Sequence, residues 1–135
     1  MINERAVSQA LLTQLKTVVG LPHLVVDGGT AYTPSPTVAY CKEYDLSGDT
    51  FGQTVTNGGV QRKDGIYQVD VFTPKNSGKW AGLEACALIQ TAFPRGLVLT
   101  NDSQKVKIKD ASRSPVRYDN THQIITLSIG YTALS

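Results

Sequence analysis

Apolar positions along this chain recur with two different periods, and the change of period divides it into helices and strands. Val7, Leu11, Leu15 and Val18, with Leu12 and Val19 beside them, fall on one side of a 3.6-residue repeat, while Glu4, Gln9, Thr13 and Lys16 lie largely opposite. This predicts an amphipathic helix that Gly20 and Pro22 end. Residues 21–36, "LPHLVVDGGTAYTPSP", carry three prolines and a Gly-Gly pair without sustained period. They predict a long ordered loop with one short extended piece, suited to an arm or contact loop.

The period then falls to two. In "TVAYCKEYDL" Val38, Tyr40, Tyr44 and Leu46 share one face, interrupted by Lys42, with Cys41, Glu43 and Asp45 on the other, and "SGD" turns the chain. Residues 51–63 hold β-branched positions around an Asn-Gly-Gly break, which reads as a weakly specified strand near a sheet edge, and "RKDG" has the composition of a tight charged hairpin tip. In "GIYQVDVFTPKNSGKW" Tyr67, Val69 and Val71 face one way and Gln68, Asp70 and, less regularly, Phe72 the other, as in a half-buried antiparallel strand.

Ser77 is a suitable helix N-cap, and Trp80, Leu83, Cys86, Ala87, Ile89 and Phe93 form a broad apolar stripe before Pro94 and Gly96. On that stripe Trp80 is expected to pack in the core, the competing reading being an exposed binding anchor. Further strands are expected at 97–100, 105–109 and 123–133, where Ile125, Leu127, Ile129 and Tyr131 alternate toward a core, with a hairpin loop at 101–103. The element order predicts an α+β fold: one domain over 1–135, a mainly antiparallel sheet with two helices packed on one face.

Composition narrows the picture only slightly. The 135 residues are 41% hydrophobic and 18% charged, as in an ordinary globular domain. No apolar run approaches the roughly 20 residues of a membrane span. The amino terminus mixes Glu4, Arg5 and Lys16 into its apolar residues, so an intracellular start is expected rather than a secretory signal. Cys41 and Cys86 lack metal-ligand spacing and read as buried, reduced thiols. A net charge of +2 does not by itself argue for nucleic acid, so a basic patch has to be found locally.

Catalytic chemistry finds little support. The chain has no G-x-S-x-G, H-E-x-x-H or phosphate-loop motif, and His23 and His122 have no second ligand at metal spacing. Asp64, Asp70 and Asp110 read as turn and sheet-surface residues, and the two Gly-Gly pairs as turn formers. No metal or cofactor site, and no enzymatic activity, is expected. One charge pattern stands out: Lys105, Lys107 and Lys109 share a strand face opposite Val106 and Ile108, with Arg113 and Arg117 downstream. A solvated strand face accounts for it, and so does a surface for phosphates or an acidic protein, whereas no interleaved aromatics indicate single-strand stacking.

Three blocks in this order resemble the tail terminator proteins of long-tailed bacteriophages, particularly the small prophage tail-terminator-like family. They are "YTPSPTVAYCKEYDL" after a leading helix, "GGVQRKDGIYQVDVFTPKNSGKWAGLEACALIQTAF", and a closing "HQIITLSIGYTA". The resemblance spans nearly the whole chain. It implies a homo-oligomeric ring, expected to be hexameric, that caps the head-proximal end of the tail tube, stops its polymerisation and forms the docking surface for the head. The implied partners are the chain itself, the tail tube protein and the head-tail connector protein, without membrane or sequence-specific nucleic acid. The implied place is the virion tail, assembled in the bacterial host cytoplasm. Interface candidates are Phe51, Arg62, Lys63 and Asp64 around the expected hairpin, and Lys105, Lys107 and Lys109 on the basic strand. A head-tail connector or completion protein, and a monomeric binding module using the lysine face, are the alternatives.

Overall fold

Alternation over the twelve residues from Gln123 makes β7 (His122–Leu134) the spine of the molecule. The computed structural model describes residues 2–25, 37–52, 61–75 and 78–134, leaving out the side chains at 23, 47–52 and 61. Along it run α1 (Glu4–Lys16), β1 (His23–Val25), β2 (Tyr40–Gly52), β3 (Gln61–Pro74), α2 (Trp80–Ala92), β4 (Val98–Asn101), β5 (Gln104–Arg113), β6 (Arg117–Tyr118) and β7. The strands form one sheet in the order β1-β2-β3-β7-β5-β4, with β6 pairing β7 off this path. Only β1 and β2 run parallel; the other pairings are antiparallel. Both helices pack on one face, as the periodicity predicts.

The two faces of the sheet differ because side chains alternate. Ile125, Leu127, Ile129, Tyr131 and Ala133 of β7 point inward and meet Tyr67, Val69 and Val71 of β3, Val106 and Ile108 of β5, and the stripes of both helices. From α1 come Val7, Ala10, Leu11 and Leu15; from α2, Ala85, Cys86 and Ile89. Each fully buried Leu or Ile contributes about 1.5–3 kcal/mol. A smaller cluster lies on the opposite face, where Tyr40 stacks on Phe72 at 4.4 Å and presents its ring to the edge of His122 at 5.2 Å, with Val25 and Ile124 alongside.

Several expectations are corrected by tertiary packing. The two faces of β2 separate as predicted, but the helix layer covers Cys41 and Glu43, while Leu46 is exposed. "RKDG" is no hairpin tip: Arg62, Lys63 and Asp64 lie inside β3, paired to Leu134, Ala133 and Thr132. The helix α1 stops at Lys16, where Thr17 Oγ1 donates to the Gln14 carbonyl, leaving Val19 87% exposed. The N-cap of α2 is Lys79, without a side-chain cap bond; the expected cap, Ser77, lies outside the described residues, as do 26–36 and 53–60. The hairpin at 101–103 is as expected, with Asp102 and Ser103 at φ 49° and 66°, the left-handed pair of a two-residue turn.

The sheet is curled. Three strands separate β2 from β4, about 19 Å in a flat sheet, wider than the roughly 10–12 Å of one helix. Yet α1 reaches both sides: Ser8 Oγ donates to Asp45 of β2 at 2.8 Å, while Asn101 of β4 donates to Ala6 and Gln9 at 3.4 Å. Buried Gln104 fastens the start of α1 to the end of β7, accepting from Asn3 N at 3.0 Å and donating to Leu134 O at 2.7 Å. Cys41 and Cys86 are free and buried. Burial, with Cys86 nearby, pushes the Cys41 thiol up to about 12, and burial pushes Cys86 to about 11 against Arg113, so both are protonated at neutral pH.

Beneath α1, Tyr131 crosses β3 to reach Asp45, its hydroxyl donating at 2.7 Å. Gly65, opposite Tyr131 in the ladder, makes that crossing possible: a Cβ there would lie 2.5 Å from the phenolic oxygen. Gly65→Ala is therefore expected to cost about 1–3 kcal/mol by overpacking. In a Tyr131→Leu background the same change should cost markedly less, a coupling that urea unfolding of the four proteins in a double-mutant cycle measures. Equal costs in both backgrounds would contradict the contact.

Candidate assembly interface

Both helices cover one face of the sheet; on the other, the Tyr40–Phe72 cluster is buried and, among the described residues, an exposed region remains, where the ladder dictates which side chains stand. Asp64 of β3 pairs with Thr132 of β7, which pairs with Lys107 of β5, and one step along Arg62, Leu134 and Lys105 form the neighbouring row. Two stretches of sequence some 40 residues apart thus become a single cationic end of one face. Asp64 sits inside it: its carboxylate accepts from Thr132 Oγ1 at 2.7 Å and lies 3.6 Å from Arg62 Nε and 3.8 Å from Lys109 Nζ. Such half-exposed pairs stabilise by about 0–1 kcal/mol, so their effect is to orient the side chains. Lys109 falls where the β5–β7 register shifts between Ile108 and Asp110.

Toward the other end, Thr126 Oγ1 accepts from Arg117 at 2.6 Å and donates to Asp70 at 2.8 Å, and Asp70 also accepts from Gln68. Exposed Leu46 and Ile66 stand opposite each other between the two polar groups, and Val98 faces Lys107. The face is a mixed apolar and cationic surface on a rigid sheet.

Of the residues named from sequence, Arg62, Asp64, Lys105, Lys107 and Lys109 come together here. Lys63 does not. It points to the helix side, 4% exposed, and its ammonium pairs with Glu4 at the start of α1. The strand's period of two places it there, because Arg62 and Asp64 face outward. Phe51 pairs with Arg62 in the ladder, but its side chain lies outside the described residues.

Trp80 is also corrected: it is 73% exposed, with Lys79 Nζ 5.2 Å from its ring centre. The helix approaches the sheet through small residues, Gly82 and Ala85, and a Cβ on Gly82 would meet Ile125 at 3.1 Å, which turns the indole away. Sequence reasoning missed Arg95 altogether. It follows α2 in the chain and reaches the lysines through Gly96, whose N–H donates to Ile108 O at 2.8 Å. Arg95, Gly96, Lys107, Ile108 and Lys109 line an open depression of about 300 Å³. Spacing could not reveal this neighbour, since backbone hydrogen bonds just beyond the β4–β5 ladder create it.

Other concave places offer little chemistry. A groove of about 400 Å³ beside α2 has Val19, Ala81, Glu84 and Leu88 among its walls, Glu84 being the one titratable residue there. His122 is buried, with Nε2 3.0 Å from Val38 O and Nδ1 2.8 Å from Thr121 Oγ1. Nearby Asp119 is held below its ordinary pKa by the His122 and Thr121 backbone N–H groups. Among the described residues no three His, Cys, Asp or Glu side chains are grouped to hold a metal, and no helix is long and apolar enough to cross a membrane.

The fold is thus a curled sheet clasped by two helices on one side, with charged side chains gathered at one end of the other. The chain belongs to the family described as phage tail terminator protein, whose model matches residues 6–131. It is therefore a structural protein of the phage tail family and a virion component. No curated protein sequence matches it. One solved structure, known only by a sequence identifier, is similar with a TM-score of 0.71 at 20% identity, covering 96% of this chain and 92% of the other. A chain from the virion of a native gene transfer agent particle is similar with a TM-score of 0.58 at 13% identity, covering 98% and 97%. At these identities the likenesses concern the fold.

Stability should separate outward from inward residues. Arg62→Glu and Trp80→Ala are each expected to change unfolding free energy by less than about 1 kcal/mol, whereas Lys63→Glu, which buries a carboxylate against Glu4, should cost roughly 3 kcal/mol. Thermal melts of the three variants check this, and a strongly destabilised Trp80→Ala would return the indole to the core.

Proposed function

We propose that this chain forms a homo-oligomeric ring on the head-proximal end of the tail tube, stops tube polymerisation and presents the surface on which the head docks. The observation that carries the reading is the family match over residues 6–131. The architecture supports it: Arg62, Asp64, Lys105, Lys107 and Lys109 stand on a rigid, helix-free face. A ring subunit must hold such a surface at a fixed angle, and a sheet backed by two helices bends little. In this reading the partners are further copies of the chain, the tube protein and the head-tail connector, met during assembly in the host cytoplasm, and no catalytic step is involved.

The decisive measurement is the distribution of tail lengths by electron microscopy after a stop codon replaces Lys16 in the parent phage or prophage. Overlong, headless tails are expected. Tails of normal length that lack heads would instead assign the chain to head joining alone, as a connector. Normal tails joined to heads would overturn both readings.

A further inference from the structure

We propose that the depression lined by Arg95, Lys107 and Lys109 is a carboxylate-binding site that receives an acidic, extended segment of a partner protein. Three cationic side chains from two separate elements converge on one concavity of about 300 Å³. The turn after α2 supplies Arg95, and β5 supplies the lysines on either side of buried Ile108. Backbone hydrogen bonds hold the two walls together: Gly96 N–H to Ile108 O, and Ile108 N–H to Leu97 O, both 2.8 Å. Among the described residues, Lys109 is the cation of this wall that has an ion-pair partner, Asp64 at 3.8 Å. Arg62 and Lys105 continue the positive charge along the sheet.

The chemistry of the surroundings favours a protein carboxylate over a nucleic-acid backbone. A polyanion with a charge at every step is best met by an unbroken basic track. Here Asp64 and Asp110 interrupt the track, and exposed Val98 and Leu134 stand directly opposite Lys107 and Lys105. Lys105 and Lys107, two residues apart, are about 6.8 Å apart along the strand. That spacing suits carboxylates at alternate positions of an extended chain, whose intervening side chains turn away from the sheet. An arginine beside two lysines adds a planar fork for one carboxylate next to two point charges. That the partner is another protein of the tail or its head joint rests on the proposed function; the carboxylate site itself does not.

The test uses the full chain and isothermal titration calorimetry at low salt. The probe is a ten-residue peptide of alternating glutamate and valine, compared with its glutamine counterpart and with a DNA duplex of about 20 base pairs. The glutamate peptide is expected to bind and the glutamine peptide not. The Arg95→Gln/Lys107→Gln/Lys109→Gln variant should lose at least about tenfold in affinity with its melting temperature unchanged. Arg95→Gln alone, outside the strand, should lose part of it and serves if the triple variant is unstable. Lys16→Gln/Lys75→Gln should bind as the parent does. Unchanged binding in the site variants, or equal binding of the two peptides, would overturn the proposal. So would tighter binding of the duplex through the same three residues, which would assign the site to nucleic acid. Lost peptide binding with overlong tails in the stop-codon strain would leave terminator function standing without this site. Peptide binding with normal, head-joined tails would leave the site standing without that function.

Discussion

The register of β7 between β3 and β5 is the constraint on which both the core and the contact face depend. Thirteen residues of β7 pair with β3 and eight of them also pair with β5, so inward Ile, Leu and Tyr and outward Thr, Ser and Gly are set for three strands at once. Because the side-chain period is two, a slip of one residue would turn Tyr67, Leu127 and Ile108 to solvent and the lysines into the core. The free energy of burying some twenty apolar side chains therefore also specifies where Arg62, Asp64, Lys105 and Lys107 stand. The placement of this charged face needs no separate folding signal.

Curling the sheet is a different problem, and polar residues under α1 solve it. A flat sheet would leave α1 touching only one edge. Ser8 with Asp45 and Lys63 with Glu4 tie the helix to β2 and β3, Gln104 and Asn101 tie it to β5 and β4, and beneath it Tyr131 of β7 bonds Asp45 of β2. Buried polar groups cost free energy unless partnered, and their directional bonds specify one curvature where apolar packing alone would permit several. Burial, followed by the Glu43 carboxylate, raises the pKa of the Tyr67 phenol in the same layer, so the cluster stays protonated and uncharged at that position near neutrality.

How much of this was legible follows from the range of each signal. Alternation in "KVKIK" and "QIITLSIGYTA" located β5 and β7 and their outward lysines, because a period of two needs only neighbours along the chain. The same rule applied to β3 would have sent Lys63 inward, but the turn-like composition of "RKDG" outweighed it. A broad stripe on α2 leaves its phase, and so the side Trp80 takes, open; the close approach at Gly82 and Ala85 decides it. Arg95 was invisible because its lysine neighbours lie beyond a hairpin, and sequence spacing carries no information about which strands pair.

Among the described residues, two exposed surfaces lie on opposite layers: Trp80, Leu88 and Val19 on the helix side, the cationic face on the other. Surfaces that are unlike and face apart cannot meet in a two-fold pair, which needs the same patch from both copies. If copies contact through them, the contact is head-to-tail, and its rotation per subunit decides between a closed ring and an endless filament. Under the proposed function closure is required, since a terminator that propagated would itself extend the tail. The rigidity of the curled sheet then matters more than the strength of any one contact, because a small error in angle, repeated around the ring, is what separates closing from growing.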